Sequence, residues 1–359
     1  MNKKNYFRII LGLVLAVLAS GCAVNIGTAP TATVIDGGIW RSGDAGKTWS
    51  QDIAIPTTNG KIATIGNIDV RKIIFDPSDP NAIYLTTENN GIVYSYDGGS
   101  SWQQFKRLSS GMIYAVAIDP KNKCVLYSLA GNKLYKSLDC GRTWDTPYNH
   151  QNPGVVLTDL VIDFSNTSVL YVVDGAGEII KSTNGGVSWD TIFRERNGSL
   201  FSDIIMDPAN SKIIYATTLS NGIYKTIDGG VTWSSLNEGL SHYSGSLTYR
   251  KLIIDRATPG ALILVSQFGI LRSSDGGSTW SPLGLLPAPG TITLYSAAVN
   301  PKNSQEIYYT TATTLVKTTD GGNTWSSRAL PFSRIPNTMA INPANSNIIY
   351  IGTKLPPKK

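Results

Sequence analysis

Apolar and polar positions along this chain fall into short runs that recur in a fixed order. One apolar run ends in an acidic or amide residue, mostly followed by proline: Asp76-Pro77, Asp119-Pro120, Asp163-Phe164, Asp207-Pro208, Asp255-Arg256, Asn300-Pro301 and Asn342-Pro343. Eight residues after each of these lies the centre of a second apolar run, at Tyr84, Tyr127, Tyr171, Tyr215, Ile263, Tyr308 and Tyr350. A third run alternates an apolar residue with a cation, as in Trp40-Arg41, Tyr135-Lys136, Ile180-Lys181, Tyr224-Lys225, Leu271-Arg272 and Val316-Lys317. That alternation is the signature of a strand with one face buried, and the cations on its other face read as surface charge. A Trp opens a fourth run. Short runs of this kind, bounded by Gly, Pro, Asn and Asp, predict strands.

Between the third and fourth runs the chain repeats one turn seven times: Ser or Thr, one residue, Asp (Asn only at 184), one residue, Gly, two residues, Trp. The turns are centred on Asp44, Asp97, Asp139, Asn184, Asp228, Asp275 and Asp320. The carboxylate or amide can accept hydrogen bonds from the backbone N–H groups just ahead. The Gly supplies a positive φ without a Cβ penalty, and the Trp anchors the next strand.

The turns are spaced 53, 42, 45, 44, 47 and 45 residues apart. Four strands in each interval predict propeller blades rather than a helical solenoid. The first turn has no Asp-Pro unit before it, and the last Asp-Pro unit has no turn after it. Joining the two makes a seventh blade, with inner strands from about 337–354 and outer strands from about 34–52. The expected architecture is therefore all-β: a single seven-bladed propeller of four-stranded antiparallel blades over 34–354, closed so that the sheet edges are hidden, with a short tail at 355–359.

At these turns the chain resembles the Asp-box, or BNR, repeat propellers. That group includes sialidases, xyloglucanases, sortilin-type ectodomains and the photosystem II assembly factor. The resemblance implies that the box is a structural turn, on the face away from the ligand. Two local segments resemble enzymes of the group. Arg334-Ile335-Pro336 resembles the sialidase motif that supplies a carboxylate-clamping arginine; there it begins the chain, in a six-bladed ring, so coincidence is the reading here. Tyr84 to Gly91 resembles a first-blade segment of xyloglucanases, which implies Glu88 as a candidate general base. Inverting hydrolysis needs a second carboxylate ~6.5–9.5 Å away, and those enzymes place their cleft between two propellers.

The N-terminus carries Lys3, Lys4 and Arg8, an apolar run from Ile9 to Leu18, then Ala19-Ser20-Gly21-Cys22. This predicts a secretory signal at 1–21, and its last residues resemble a lipobox. The resemblance implies lipidation of Cys22, a tether at 22–33, and attachment to the bacterial cell envelope, either periplasmic or on the outer surface. The other reading is a soluble secreted protein with a free Cys22. Removing those three cations from the formal charge of +6 leaves +3, too mild to argue for nucleic acid. With two His and no paired CxxC, no metal site is expected, and no cofactor motif is present. Cys124 begins the second strand of its blade and Cys140 sits in the turn closing the third, at the same end of neighbouring strands. In an oxidising compartment this favours a disulfide; two buried thiols are the alternative.

Spacing within a blade is nearly fixed, whereas spacing between blades varies. Variable loops in repeat proteins gather on the binding face, here the face of the inter-blade loops and of the hairpins between second and third strands. Arg71, Lys106, Arg107, Arg194, Arg196, His242, Tyr243, Arg250 and Arg334 fall there among aromatic residues, a mixed basic-aromatic surface for a protein or polysaccharide partner. Ordinary solvated loops are the competing reading. The expected function is a non-catalytic, lipid-anchored scaffold or assembly factor, with glycoside hydrolysis as the alternative.

Overall fold

The computed structural model describes residues 36–56, 63–285 and 290–357. The expected signal peptide, Cys22 and tether lie outside the described residues. From Asp36 onward the chain forms one compact unit of seven four-stranded antiparallel sheets arranged as the blades of a propeller. No helix among the described residues is long and apolar enough to cross a membrane.

Blades are numbered here from the first complete one. Blade 1 consists of Val70–Asp76, Asp79–Thr87, Ile92–Ser95 and Gln103–Gln104, from the inside outward. The inner strands of blades 2 to 6 are Ala115–Asp119, Leu157–Ile162, Phe201–Asp207, Tyr249–Ile254 and Ser296–Asn300. Blade 7 closes the ring: Ile335–Ile341 and Ile349–Lys354 from the C-terminal end pair with Ile39–Ser42 and Ser50–Gln51 from the N-terminal end. Two elements outside the blades were not expected, a ribbon of Ala54–Ile55 with Ala63–Thr64 and a single 3₁₀ turn at Glu238–Leu240. Both lie in the two longest inter-blade segments.

The repeated turn works through side-chain chemistry. Ser42 Oγ donates to Asp44 and accepts the Gly46 N–H, each at 2.8 Å. Asp44 in turn accepts the Thr48 N–H at 2.8 Å and the Thr48 hydroxyl at 2.7 Å. A Ser or Thr recurs four residues after every turn centre: Thr48, Ser101, Thr143, Ser188, Thr232, Thr279 and Thr324. At Asn184 the last bond runs the other way, with the amide donating to Ser188 Oγ at 2.8 Å. The residue just after the turn centre has φ near +70° where it is Gly and +59° at Ala45 and Cys140. Positive φ costs Gly nothing, which is why five of the seven positions are Gly.

Three of the six third-strand cations clasp the neighbouring blade, which corrects their reading as surface charge. Lys136, Lys181 and Lys225 donate to the carbonyls of Gly185, Gly229 and Gly276, in the box turn of the following blade, at 2.8–2.9 Å. Tyr127, Tyr171 and Tyr215 on the adjacent second strands donate to the same three carbonyls. Each ammonium also lies over its tyrosine ring, 5.1–5.4 Å from the centroid. The Tyr-centred run is therefore both core and inter-blade clasp.

Cys124 is bonded to Cys140, and the Cys140 N–H also donates to the Cys124 carbonyl at 2.9 Å.

Candidate binding mouth at the loop face of the channel

The seven inner strands surround a channel of about 1500 Å³. Each inner strand starts at the loop face and ends at the box face. Five of them carry a bulge near the loop face, one residue into the strand in blades 1, 3, 4 and 5 and two residues into it in blade 7. The extra residues are Arg71, Thr158, Ser202, Arg250 and Asn337, each skipped in the pairing with the second strand. Bulges re-aim the side chains around them. Thr158 Oγ1 thereby reaches the Phe201 carbonyl of the next blade at 3.0 Å, and Asn337 Nδ2 reaches the Val70 carbonyl at 2.8 Å.

Four of the residues following the bulges, Lys72, Asp159, Asp203 and Lys251, form a half-buried charged cluster across the channel. Lys72 Nζ from blade 1 lies 2.9 Å from Asp159 of blade 3 and 2.7 Å from Asp203 of blade 4. Asp159 also accepts the Ile204 N–H at 3.1 Å, and Asp203 accepts the Tyr249 hydroxyl at 2.5 Å. Lys251 Nζ reaches the Met339 carbonyl at 3.4 Å.

Burial opposes every charge here, and the pairing decides which charges survive. It pushes Asp159 up to about 6 against the pull of Lys72. It works against Asp203 too, yet Lys72 and the hydrogen bonds hold that carboxyl below its ordinary range. Lys72 is likewise penalised by burial, but the two carboxylates raise its pKa above the ordinary lysine value. Lys251 is lowered by burial, with Lys72 adding to the effect against Asp203.

Around this cluster the mouth is ringed by Arg71, Glu88, Tyr114, Arg250 and two exposed leucines, Leu200 and Leu219. Arg71 makes a two-point contact to Glu88 at 3.1 and 3.2 Å and lies over the Tyr114 ring. Glu88 is thus held by a cation of its own blade. Arg250 and Arg71 line the channel, whereas Lys106, Arg107, Arg194, Arg196, His242 and Tyr243 do not. Lys106, Arg107, Arg196 and His242 are exposed on loops. Arg194 pairs with Glu178 at 3.0 Å, and Tyr243 donates to the Trp280 carbonyl at 2.7 Å. Arg334 is not available to a partner: with 11% of its side chain exposed, it bridges Asp69 at 2.9 Å and Asp36 at 3.5 Å.

Sequence reasoning missed Asp159 and Asp203. Their signal was a polar residue two positions into an inner strand, but the bulge that turns them inward leaves no trace in the apolar spacing.

A family model described as sortilin, neurotensin receptor 3 matches residues 37–155. The chain is 27% identical over 267 residues to the xyloglucanase Xgh74A of Acetivibrio thermocellus, covering 59% of this chain and 32% of the enzyme. It is 27% identical over 172 residues to the photosystem II assembly protein Ycf48 of a Synechococcus strain, covering 47% of this chain and 46% of that one. The chain thus spans about a third of the xyloglucanase. Among solved structures, a GH74 enzyme of Niastella koreensis superposes with a TM-score of 0.62 at 20% identity, covering 80% of this chain and 51% of the enzyme. YCF48 bound to D1 peptide superposes with a TM-score of 0.61 at 15% identity, covering 84% of this chain and 96% of that one. These superpositions establish the shared propeller fold.

Proposed function

We propose that this propeller is a non-catalytic binding module of the cell envelope, anchored through lipid on Cys22, and that it docks a protein segment at the loop-face mouth of its channel. The state of the charges at that mouth carries the reading. Glu88, Asp159 and Asp203 are all paired with cations of the same chain, while Arg250, Leu200 and Leu219 are left open to solvent. Exposed apolar side chains beside an arginine suit a peptide-like partner. A relative that carries a D1 peptide in its structure supports the class of partner.

Glycoside hydrolysis is the second reading. The split titration of Asp159 and Asp203 favours it, since paired carboxyls with separated pKa values are how acid and base roles are divided. One experiment separates the two. The lipidated protein is used to capture partners from its own membranes, beside a screen for reducing ends released from polysaccharides. The binding reading expects a stoichiometric partner that is lost with Arg250→Glu or Leu219→Glu and kept with Lys212→Glu on the box face. Release of sugar that disappears with Asp159→Asn would replace it with the enzymatic reading.

A further inference from the structure

A second cluster on the loop face lies between blades 2 and 3. His150 follows the outer strand of blade 2, Asp145–Asn149. Asp174 ends the second strand of blade 3, Leu170–Asp174, and Glu178 begins the third, Glu178–Ser182. One ligand atom from each of these three residues falls within 4.8 Å of the others.

The details of each side chain are those of a ligand set. Asp174 is fully buried, and Oδ2 has no hydrogen-bond partner, although it lies 3.6 Å from His150 Nε2. Its other oxygen is fixed by the N–H groups of Ala176 at 2.9 Å and Glu178 at 2.8 Å, so Oδ2 is aimed by the turn itself. A buried carboxylate oxygen left without a donor is costly, and here it faces the nitrogen of an imidazole. The other ring nitrogen, His150 Nδ1, lies 3.1 Å from both the Asn152 carbonyl, to which it donates when protonated, and the Asn152 N–H, from which it accepts when not. In the tautomer that donates to that carbonyl, the Nε2 lone pair points toward Asp174. Ring donation to a backbone carbonyl is the usual support of a metal-bound histidine. The His150 main chain is held as well, its N–H donating to the Asn132 carbonyl at 2.9 Å.

We infer that His150 Nε2, Asp174 Oδ2 and a Glu178 carboxylate oxygen bind a divalent transition-metal ion of the zinc type, stapling blade 2 to blade 3. An Nε2–Oδ2 separation of 3.6 Å is near the ligand-to-ligand edge of a tetrahedron with metal bonds of about 2.0–2.2 Å. Three protein ligands leave a fourth position for water or for a group on a partner. The imidazole favours zinc-type ions over calcium, which takes oxygen ligands. Glu178 is now shared by Arg194 at 3.0 Å and the Thr191 hydroxyl at 3.0 Å. Arg194 is 70% exposed and can swing into solvent when a cation arrives. This proposal departs from the expectation of no metal: counting two His in the sequence could not show that one of them meets two carboxylates across a blade boundary.

The test is zinc titration of the full-length chain against a chromophoric chelator, with calcium run in parallel. One zinc per chain is expected, with no comparable uptake of calcium. His150→Gln and Glu178→Gln should each weaken zinc binding by at least about tenfold, while His242→Gln, at the other histidine, leaves it unchanged. Circular dichroism of each variant separates loss of the site from loss of the fold. Failure of the wild-type chain to take up zinc overturns the assignment, as does equal binding by a folded His150→Gln variant.

Discussion

Lys181 and Tyr171, partners across the middle of blade 3, donate to one and the same acceptor, the Gly229 carbonyl in the box turn of blade 4, each at 2.8 Å. The ammonium also sits 5.1 Å from the tyrosine ring centroid. The arrangement recurs with Tyr127 and Lys136 on Gly185, and with Tyr215 and Lys225 on Gly276. Blades 2, 3 and 4 therefore each grip the turn that closes the next one, and at these boundaries the box turn is where blades are joined.

That joint makes Lys181 a stability residue. A hydrogen bond to a charged donor contributes about 1.5–3 kcal/mol, and a cation over a ring adds about 0.5–1 kcal/mol. Lys181→Met should cost about 1–2 kcal/mol, because Tyr171 keeps part of the acceptor satisfied. Adding Tyr171→Phe should cost more than the two single changes together, since the carbonyl then loses both donors. Denaturant midpoints of the four proteins form the cycle that checks this. Simple additivity would mean that the two donors act independently.

Arg334 holds the ring shut. Its guanidinium joins Asp36, before the first strand of the closing blade, to Asp69, just before blade 1. Removing one partner of a buried pair strands the remaining charges. Arg334→Gln should therefore lower stability by about 2–4 kcal/mol. Cutting within residues 36–50 by limited proteolysis should speed up in step. If neither changes, closure rests on the strand pairing of Ile39–Ser42 with Ile349–Lys354 alone.

The Cys124–Cys140 bridge closes a 16-residue separation, for which loop entropy gives up to about 3 kcal/mol. Replacing Cys124 with Ala and Cys140 with Gly should cost less than replacing both with Ser. Cys140 sits at φ +59°, and Gly is the residue that five other boxes use at this position. Comparing the melting temperatures of the two double variants with reduced wild type isolates the backbone contribution. Equal losses in both variants would show that the positive φ at Cys140 carries no strain.

What could be read in advance was whatever repeats. Seven turns of one composition fix the blade count, and the incomplete units at either end fix the closure, because a repeat averages away local exceptions. Contacts that cross blades left weaker marks. The third-strand lysines showed the alternation of a half-buried strand, which looks the same whether the outer face meets solvent or a neighbouring turn. The bulges at Arg71, Thr158, Ser202, Arg250 and Asn337 add one residue without disturbing the apolar count, so the inward turn of Lys72, Asp159 and Asp203 was hidden. Arg334 was grouped with loop cations by its position in sequence, although its two carboxylate partners lie some 265 and 298 residues away along the chain.

Acid and neutral pH act on different carboxylates. Hydrogen bonds from the Ser or Thr four residues ahead hold the box aspartates low, at about 2 for Asp139 and Asp275 and lower still for Asp44, Asp228 and Asp320. An unfolded Asp titrates near about 3.9. A depressed folded value gives stability that is complete above the unfolded pKa and is lost as pH falls through the folded one. Asp159 acts in the opposite sense. Burial pushes it up to about 6, so between about 4 and 6 the folded chain keeps a proton that the unfolded chain has released. Stability then declines as pH rises through that window. Burial raises the Asp174 carboxyl in the same sense. Denaturant midpoints measured across pH should pass through a maximum between these regimes, with an acid limb set by the box turns. Asp159→Asn should leave the acid limb in place and shrink the decline toward neutral pH, the remainder belonging to Asp174. An unchanged decline in the Asn variant would remove Asp159 as its cause and leave the ion cluster with Lys72 fully charged throughout.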